Sequence, residues 1–233
     1  MPGKEWTIRL DLKNKETLLI FLRAPEKGRV KTRLASKIGE EKALALYKGF
    51  VQKALSAVET SGRDHCICFF PENRQALVED WLGPDHAYMP QAGDDLGQRM
   101  GNALSRVFDA GACKAVLVGT DVPDIRAHHL LTALDILDQK DVVIGPSVDG
   151  GYWLIGFRRE GFCRELFCQM AWGTKNVFSA TMDKARILGM SAGILPTLQD
   201  IDTLEDLIVF CQNPGGDSQG IENDEYPVSE TGE

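Results

Sequence analysis

The sequence predicts an α/β fold, a mainly parallel sheet with helices on both faces, and three observations carry that prediction. Five short apolar runs lie at residues 18–22, 65–70, 115–119, 141–145 and 152–157, each of strand length. Longer amphipathic segments lie between most of them. Residues 40–59 place Ala43, Leu44, Leu46, Tyr47, Phe50, Val51, Ala54, Leu55 and Val58 at three-to-four spacing, and 95–109 and 127–138 behave in the same way. Strand and helix in alternation require crossover connections, and crossovers make neighbouring strands parallel and bury them on both faces. Two further helices are expected near 175–188 and at 204–211. In open sheets of this kind ligands bind outside the carboxyl ends of the strands, so function is expected in the segments that follow each apolar run.

The 233 residues, 43% of them hydrophobic, suffice for one domain with a sizeable core, here expected over residues 1–213. The net charge of −8 is concentrated at the end of the chain. Residues 214–233 hold Asp217, Glu222, Asp224, Glu225, Glu230 and Glu233 without a Lys or Arg, and a disordered acidic tail is expected there. Without it, 28 acids face 26 bases, which argues against nucleic acid as a partner. No apolar run approaches the roughly 18 residues of a membrane span. The N-terminal residues mix both charge signs and lack the apolar stretch of a secretory signal, so a cytoplasmic protein with no membrane partner is expected. The six cysteines show no C-x-x-C pair or zinc spacing and read as reduced thiols, with Cys66 and Cys68 packing on one face of a strand.

After the first apolar run come Arg23, Lys27, Arg29, Lys31 and Arg33, with Glu26 the one acid among eleven residues. Cations gathered at a strand exit, with Gly28 permitting close backbone approach, suit a di- or triphosphate, and a solvated basic loop is the alternative. The spacing is that of neither the P-loop nor the dinucleotide fingerprint. After the third run, Gly119-Thr120-Asp121-Val122-Pro123-Asp124 places a carboxylate at a strand exit. Asp121 is the first candidate for a hard cation such as Mg²⁺ or Mn²⁺, against a plain Asx-turn, whereas Asp124 is expected to cap the helix at 127–138.

Between the fourth and fifth runs lies Asp149-Gly150-Gly151-Tyr152-Trp153. It reads equally as a hairpin turn or as a place where a ligand meets the backbone beside an aromatic wall. Asp200 and Asp202 share a face of an extended chain and are further metal candidates, although Asp202 with Glu205 also resembles a capping box for 204–211. Asp94 or Asp95 is expected to cap the helix at 95–109, which places Arg99 one turn in and within reach of a ligand. His128 and His129 lack a partner at metal spacing and are assigned to structure or surface.

Taken together, A-P-E-K-G-R-V-K-T-R-L, G-D-D-L-G-Q-R-M, G-T-D-V-P-D, G-P-S-V-D-G-G-Y-W-L-I-G, W-G-T and D-I-D-T-x-x-D resemble the selenodomain-associated transferases, with motifs in order from about Leu18 to Leu207. The first motif is also similar to a loop of phospholactate guanylyltransferase. The resemblance implies a single-domain, Rossmann-like three-layer α/β/α sandwich of the nucleotide-diphospho-sugar transferase type with a mixed, mainly parallel sheet. It implies a nucleotide held after the first strand and a divalent cation near Thr120 and Asp121.

The expected activity is metal-dependent transfer from a nucleotide or nucleotide-sugar donor to a small-molecule acceptor. Glycosyl transfer comes first, nucleotidyl transfer to a phosphorylated or carboxylate acceptor second, and a non-catalytic nucleotide-binding module third. Lys31 and the neighbouring cations would neutralise phosphate, Asp121 with Asp202 and Asp200 would hold Mg²⁺ or Mn²⁺, and Asp149 would orient the acceptor or act as base. Arg23, Lys27, Gly28, Arg29, Arg33 and Arg99 are expected on the donor, with Gly150, Gly151, Tyr152 and Trp172 also facing substrate. A homodimer is left open.

Overall fold

In the computed structural model, which describes Leu12 and residues 15–212, each of the five apolar runs is a strand. The elements are β1 (Glu16–Arg23), α1 (Thr32–Ile38), α2 (Glu40–Thr60), β2 (Asp64–Phe70), α3 (Gln75–Leu82), β3 (Ala87–Pro90), α4 (Leu96–Asp109) and β4 (Lys114–Gly119). They continue with α5 (Ala127–Ile136), β5 (Val142–Pro146), β6 (Tyr152–Arg158), α6 (Val177–Ile187), β7 (Ala192–Ile194) and α7 (Leu204–Gln212). The strands form one sheet in the order β3-β2-β1-β4-β6-β5-β7. The acidic tail expected at 214–233 lies outside the described residues. No helix among the described residues is long and apolar enough to cross a membrane.

Alternation along β1 shows why its sequence is apolar without interruption. Leu18, Ile20 and Leu22 face one way, against Val51, Ala54 and Val58 of α2 and Leu130, Ala133 and Leu134 of α5. Leu19 and Phe21 face the other way, against Leu104 and Val107 of α4 and Ala185 of α6. A strand covered on both faces has no polar side to present, and the result is a three-layer sandwich. Each fully buried leucine in these layers contributes about 1.5–3 kcal/mol relative to exposure. Cys66 and Cys68 pack in the second layer as free, buried thiols.

The expected alternation fails once. β6 runs antiparallel to both of its neighbours, β4 and β5, while the other pairs are parallel. The reason is the length of the connection: residues 147–151 are too few for a crossover, which needs a dozen or so, and suffice for a hairpin. Strands β3 and β7, of four and three residues, were too short to stand out in the sequence, as were α1 and α3. Six strands therefore point one way, and their exits share one edge of the sheet.

Candidate functional site

From β1 the chain winds outward to β2 and β3, then returns to place β4 on the other side of β1. The exits of β1 and β4 diverge at this reversal and leave a crevice, the position where open α/β sheets bind ligands. A cavity of about 650 Å³ fills it. Arg23, Gly28, Arg29, Lys31 and Arg33 line it from the β1 exit and α1, Phe70 from β2, Gln91 from β3, Arg99 from α4, Thr120 and Asp121 from β4, and Asp202 from the segment before α7.

Four arginines thus converge on one space. Arg99 lies over the Phe70 ring with its guanidinium carbon 3.8 Å from the centroid, and Arg23 lies 5.5 Å from the same ring. Burial, and then the nearby Arg23 charge, lower the Arg99 guanidinium from its usual value. Cations gathered against their mutual repulsion mark a place for an anion. The floor is rigid. The Tyr47 phenol of α2 donates to the Arg23 carbonyl at 2.7 Å and accepts from the Arg23 amide at 2.8 Å, and Gln91 donates to the Leu22 and Cys68 carbonyls.

Lys31 lies in the cavity wall between two acids. Its ammonium is 2.5 Å from Asp121 Oδ1 and 2.8 Å from Asp202 Oδ1, and its side chain is 3% exposed. Burial alone would lower its pKa, but the two carboxylates outweigh burial and raise it. The backbone at Lys31 is left-handed, φ 47, a conformation that residues other than glycine rarely adopt. Strain of this sort concentrates where surrounding contacts demand a particular side-chain direction.

Asp202 is free for this pairing because it does not cap α7. Thr203 and Asp206 do so reciprocally: the Thr203 hydroxyl accepts from the Asp206 amide, and the Asp206 carboxylate accepts from the Thr203 amide at 2.8 Å. The capping box therefore lies one residue beyond the one expected from Asp202 and Glu205. Asp124, expected as a cap, instead faces Arg126 at 3.5 Å, while Arg126 and His129 close the start of α5. Asp95 caps α4 as expected.

A second cavity of about 240 Å³ adjoins the first and shares Leu96, Asp121 and Asp202 with it. Asp149, Gly151, Tyr152, Trp153, Trp172 and Asp200 also line it. Burial first, and then the Asp149 charge, push the Asp200 carboxyl up to about 6. Asp149 Oδ1 accepts from the Ser147 hydroxyl at 2.5 Å and the Gly151 amide at 2.8 Å, so this oxygen holds the hairpin. Asp-Gly-Gly forms the hairpin turn, and Asp149 and Gly151 border the smaller cavity. Trp172 packs edge-to-face on Tyr152, and Gly97 makes room for it, since a Cβ there would lie 2.6 Å from the indole.

Two expected substrate residues fall outside both cavities. Lys27 is drawn away by Glu41, 2.8 Å from its ammonium. Gly150 has φ +89, and a Cβ there would overlap the Lys175 carbonyl, so its role is packing. Conversely, Tyr47, Phe70 and Gln91 line the larger cavity without a sequence signal for it. Gln91 follows β3, a strand of four residues that leaves little signal in the sequence, and Tyr47 has the helical spacing of a core residue.

Among the described residues no three acids, histidines or cysteines converge at metal-binding geometry. Asp121 and Asp202 nonetheless present one oxygen each within 2.8 Å of a single point, now held by the Lys31 ammonium. Two carboxylates completed by water and phosphate are the usual donor set for Mg²⁺ or Mn²⁺ beside a nucleotide, so the residues fit such an ion.

No curated protein matches the sequence. Among solved structures, a Desulfovibrio desulfuricans G20 protein named for the nucleotide-diphospho-sugar transferases is 38% identical, with TM-score 0.82 over 86% of this chain and 88% of its own. The fold is shared at lower identity by 4-diphosphocytidyl-2C-methyl-D-erythritol synthase from Anaerococcus prevotii DSM 20548, with TM-score 0.56, 10% identity and coverage of 85% and 99%. It is also shared by the manganese complex of Rv0371C from Mycobacterium tuberculosis H37Rv, with TM-score 0.54, 14% identity and coverage of 86% and 100%. Residues 54–174, more than half of the chain, match the family described as "Uncharacterized protein conserved in bacteria" (DUF2064), and the chain belongs to that family.

Proposed function

We propose that the chain is a transferase that takes a nucleotide donor, seats its diphosphate in the larger cavity and transfers a sugar from it. The observation that carries this reading is a buried cation, Lys31, held between Asp121 and Asp202 in the wall of a cavity lined by four arginines. Arg23, Arg29, Arg33 and Arg99 offer forked donors to phosphate oxygens, and Lys31 adds a point charge. What a divalent cation supplies at Asp121 and Asp202 is neutralisation of charge on the leaving diphosphate. The manganese bound in the Mycobacterium tuberculosis neighbour and the name of the Desulfovibrio desulfuricans relative support the reading, as do the motifs similar to selenodomain-associated transferases.

In the transfer, an acceptor O–H oxygen bonds to the anomeric carbon while the bond from that carbon to the diphosphate oxygen breaks, its electron pair staying on the diphosphate. The acceptor proton leaves to a carboxylate or to water. Asp149 lines the smaller cavity, as Asp121 does, and its Oδ2 accepts no hydrogen bond among the described residues, which supports a role for it in receiving or orienting that proton.

Calorimetric titration of nucleoside diphosphates and nucleotide sugars, with and without Mg²⁺ or Mn²⁺, tests the reading on the parent and on Asp121→Asn. Asn keeps size and hydrogen bonding but loses the charge that a hard cation requires. The parent is expected to gain at least about tenfold in nucleotide affinity with metal, or about 1.4 kcal/mol, and the variant to lose that gain. Equal metal dependence in the two proteins would overturn the assignment.

A further inference from the structure

The smaller cavity has a charge opposite to that of the larger one, and this bears on the acceptor, which the proposed function leaves open. Among its lining residues are Asp121, Asp149, Asp200 and Asp202, and among the described residues no Lys, Arg or His lines it. Its remaining walls include Tyr152, Trp153 and Trp172, with the Trp172 indole braced by Tyr152 on one side and Gly97 on another. Its volume of about 240 Å³ equals that of roughly eight water molecules, the scale of one small substituted ring.

Even with a divalent cation at Asp121 and Asp202, the Asp149 and Asp200 carboxylates remain in the wall without a lining cation among the described residues. An acceptor that brings a phosphate or carboxylate meets like charge at short range in a partly enclosed space. A neutral or amino compound meets hydrogen-bond acceptors for its O–H and N–H groups and an aromatic wall for its C–H groups.

Resting on the nucleotide-donor reading of the larger cavity, we propose that the smaller cavity seats an acceptor without net negative charge, a small hydroxyl- or amine-bearing ring, and rejects phosphorylated and carboxylate acceptors. Transfer to a hydroxyl or amine is thereby favoured over nucleotidyl transfer to an anion. The sugar portion of a nucleotide-sugar donor has the same neutral chemistry, and the experiment separates the two sources.

The test is ligand-observed NMR with four probes of matched skeleton, glucose, glucosamine, glucose 6-phosphate and glucuronate. Each is titrated against the full chain alone, with saturating UDP or GDP and Mg²⁺, and with UDP-glucose or GDP-mannose and Mg²⁺. Glucose or glucosamine is expected to bind at least about tenfold more tightly than either anion. Trp172→Ala, with Trp172→Phe as the milder variant, is expected to weaken that binding while nucleoside diphosphate affinity stays within about twofold. Asp149→Asn keeps the Oδ1 contacts of the turn and removes one wall charge, so glucuronate is expected to gain several-fold.

Anions that bind as tightly as glucose, or neutral and amino probes that all fail to bind at about 50 mM, overturn the proposal. Loss of free glucose binding when a nucleotide sugar is present, but not with the diphosphate, assigns the cavity to the donor's sugar and overturns the acceptor. Failure of the donor reading has its own signature, absence of nucleotide binding, while the probes still report on the smaller cavity in the chain alone.

Discussion

Replacing Lys31 by Met removes one charge and little else. Met preserves an unbranched chain and the Cβ, so the cost of the left-handed backbone at φ 47 is unchanged. The ammonium is lost from between Asp121 Oδ1 at 2.5 Å and Asp202 Oδ1 at 2.8 Å. Removing one partner of a fully buried pair costs about 3–5 kcal/mol, because a buried charge is left uncompensated, whereas an exposed pair contributes about 0–1 kcal/mol. Here the buried partner is the lysine, at 3% exposure, and the acids left behind are 53% and 37% exposed. Water reaches them, and the desolvation of the ammonium vanishes with it. The loss is therefore expected near the lower range, about 1 kcal/mol, or about 2–4 °C in Tm for a domain of this size.

The larger effect is on metal. Two carboxylate oxygens that share a point vacated by an ammonium form a better cation site than the parent offers without nucleotide. Thermal unfolding across a Mn²⁺ series, nucleotide absent, is expected to show the variant stabilised at Mn²⁺ concentrations about tenfold lower than the parent. In EDTA, nucleoside diphosphate affinity is expected to fall, because a phosphate partner is gone. Identical Mn²⁺ midpoints for parent and variant would refute the idea that Lys31 holds the cation position.

Two predictions concern the frame. Asp141 accepts from Arg158 Nε at 2.9 Å and from the Ser191 amide at 2.7 Å, joining the start of β5 to the end of β6 and to the segment before β7. The Ser191 hydrogen bonds, and then Arg158, hold its carboxyl at about 2, below the ordinary 3.8. A depressed carboxylate stabilises the fold above pH 3.8 and loses that contribution as pH falls through 2. Asp141→Ala should therefore cost about 2 kcal/mol at pH 7 in urea unfolding, with the gap about halved by pH 3, and a gap constant down to pH 3 would contradict the pairing. Gly150→Ala places a Cβ on the Lys175 carbonyl in a left-handed backbone. A loss of about 3 kcal/mol or more is expected, and a near-neutral result in the same assay would show that the hairpin is not packed this way.

Local order was legible because it repeats at short range. The unbroken apolar run of β1 announces a strand covered on both faces, and the spacing from Ala43 to Val58 announces α2. Once strand and helix alternate, the strand exits become the place to look, which singled out Lys31, Arg99, Asp121, Asp149 and Asp202 before any contact was known. The short β3 and β7 left no such signal, and with β3 went Gln91. The short connection at 147–151 already limits β5 and β6 to a hairpin, and the pairing shows β6 antiparallel to β4 as well.

The positions and partners of individual side chains were decided by tertiary structure. Lys27 and Lys31 sit in one basic segment with the same charge, yet Glu41 draws the first to the surface while a left-handed turn buries the second. Gly150 and Gly151 are neighbours, but one packs on Lys175 and the other borders a cavity. Asp202 was balanced between cap and cation site until Thr203 and Asp206 took the cap. Its partner Lys31 is 171 positions away in the chain. Periodicity is written residue by residue because backbone geometry repeats over two to four positions. A meeting of residues 31, 121 and 202 depends instead on strand order, on the reversal at β6 and on where β4 and β7 end, and those are properties of the whole packed sheet.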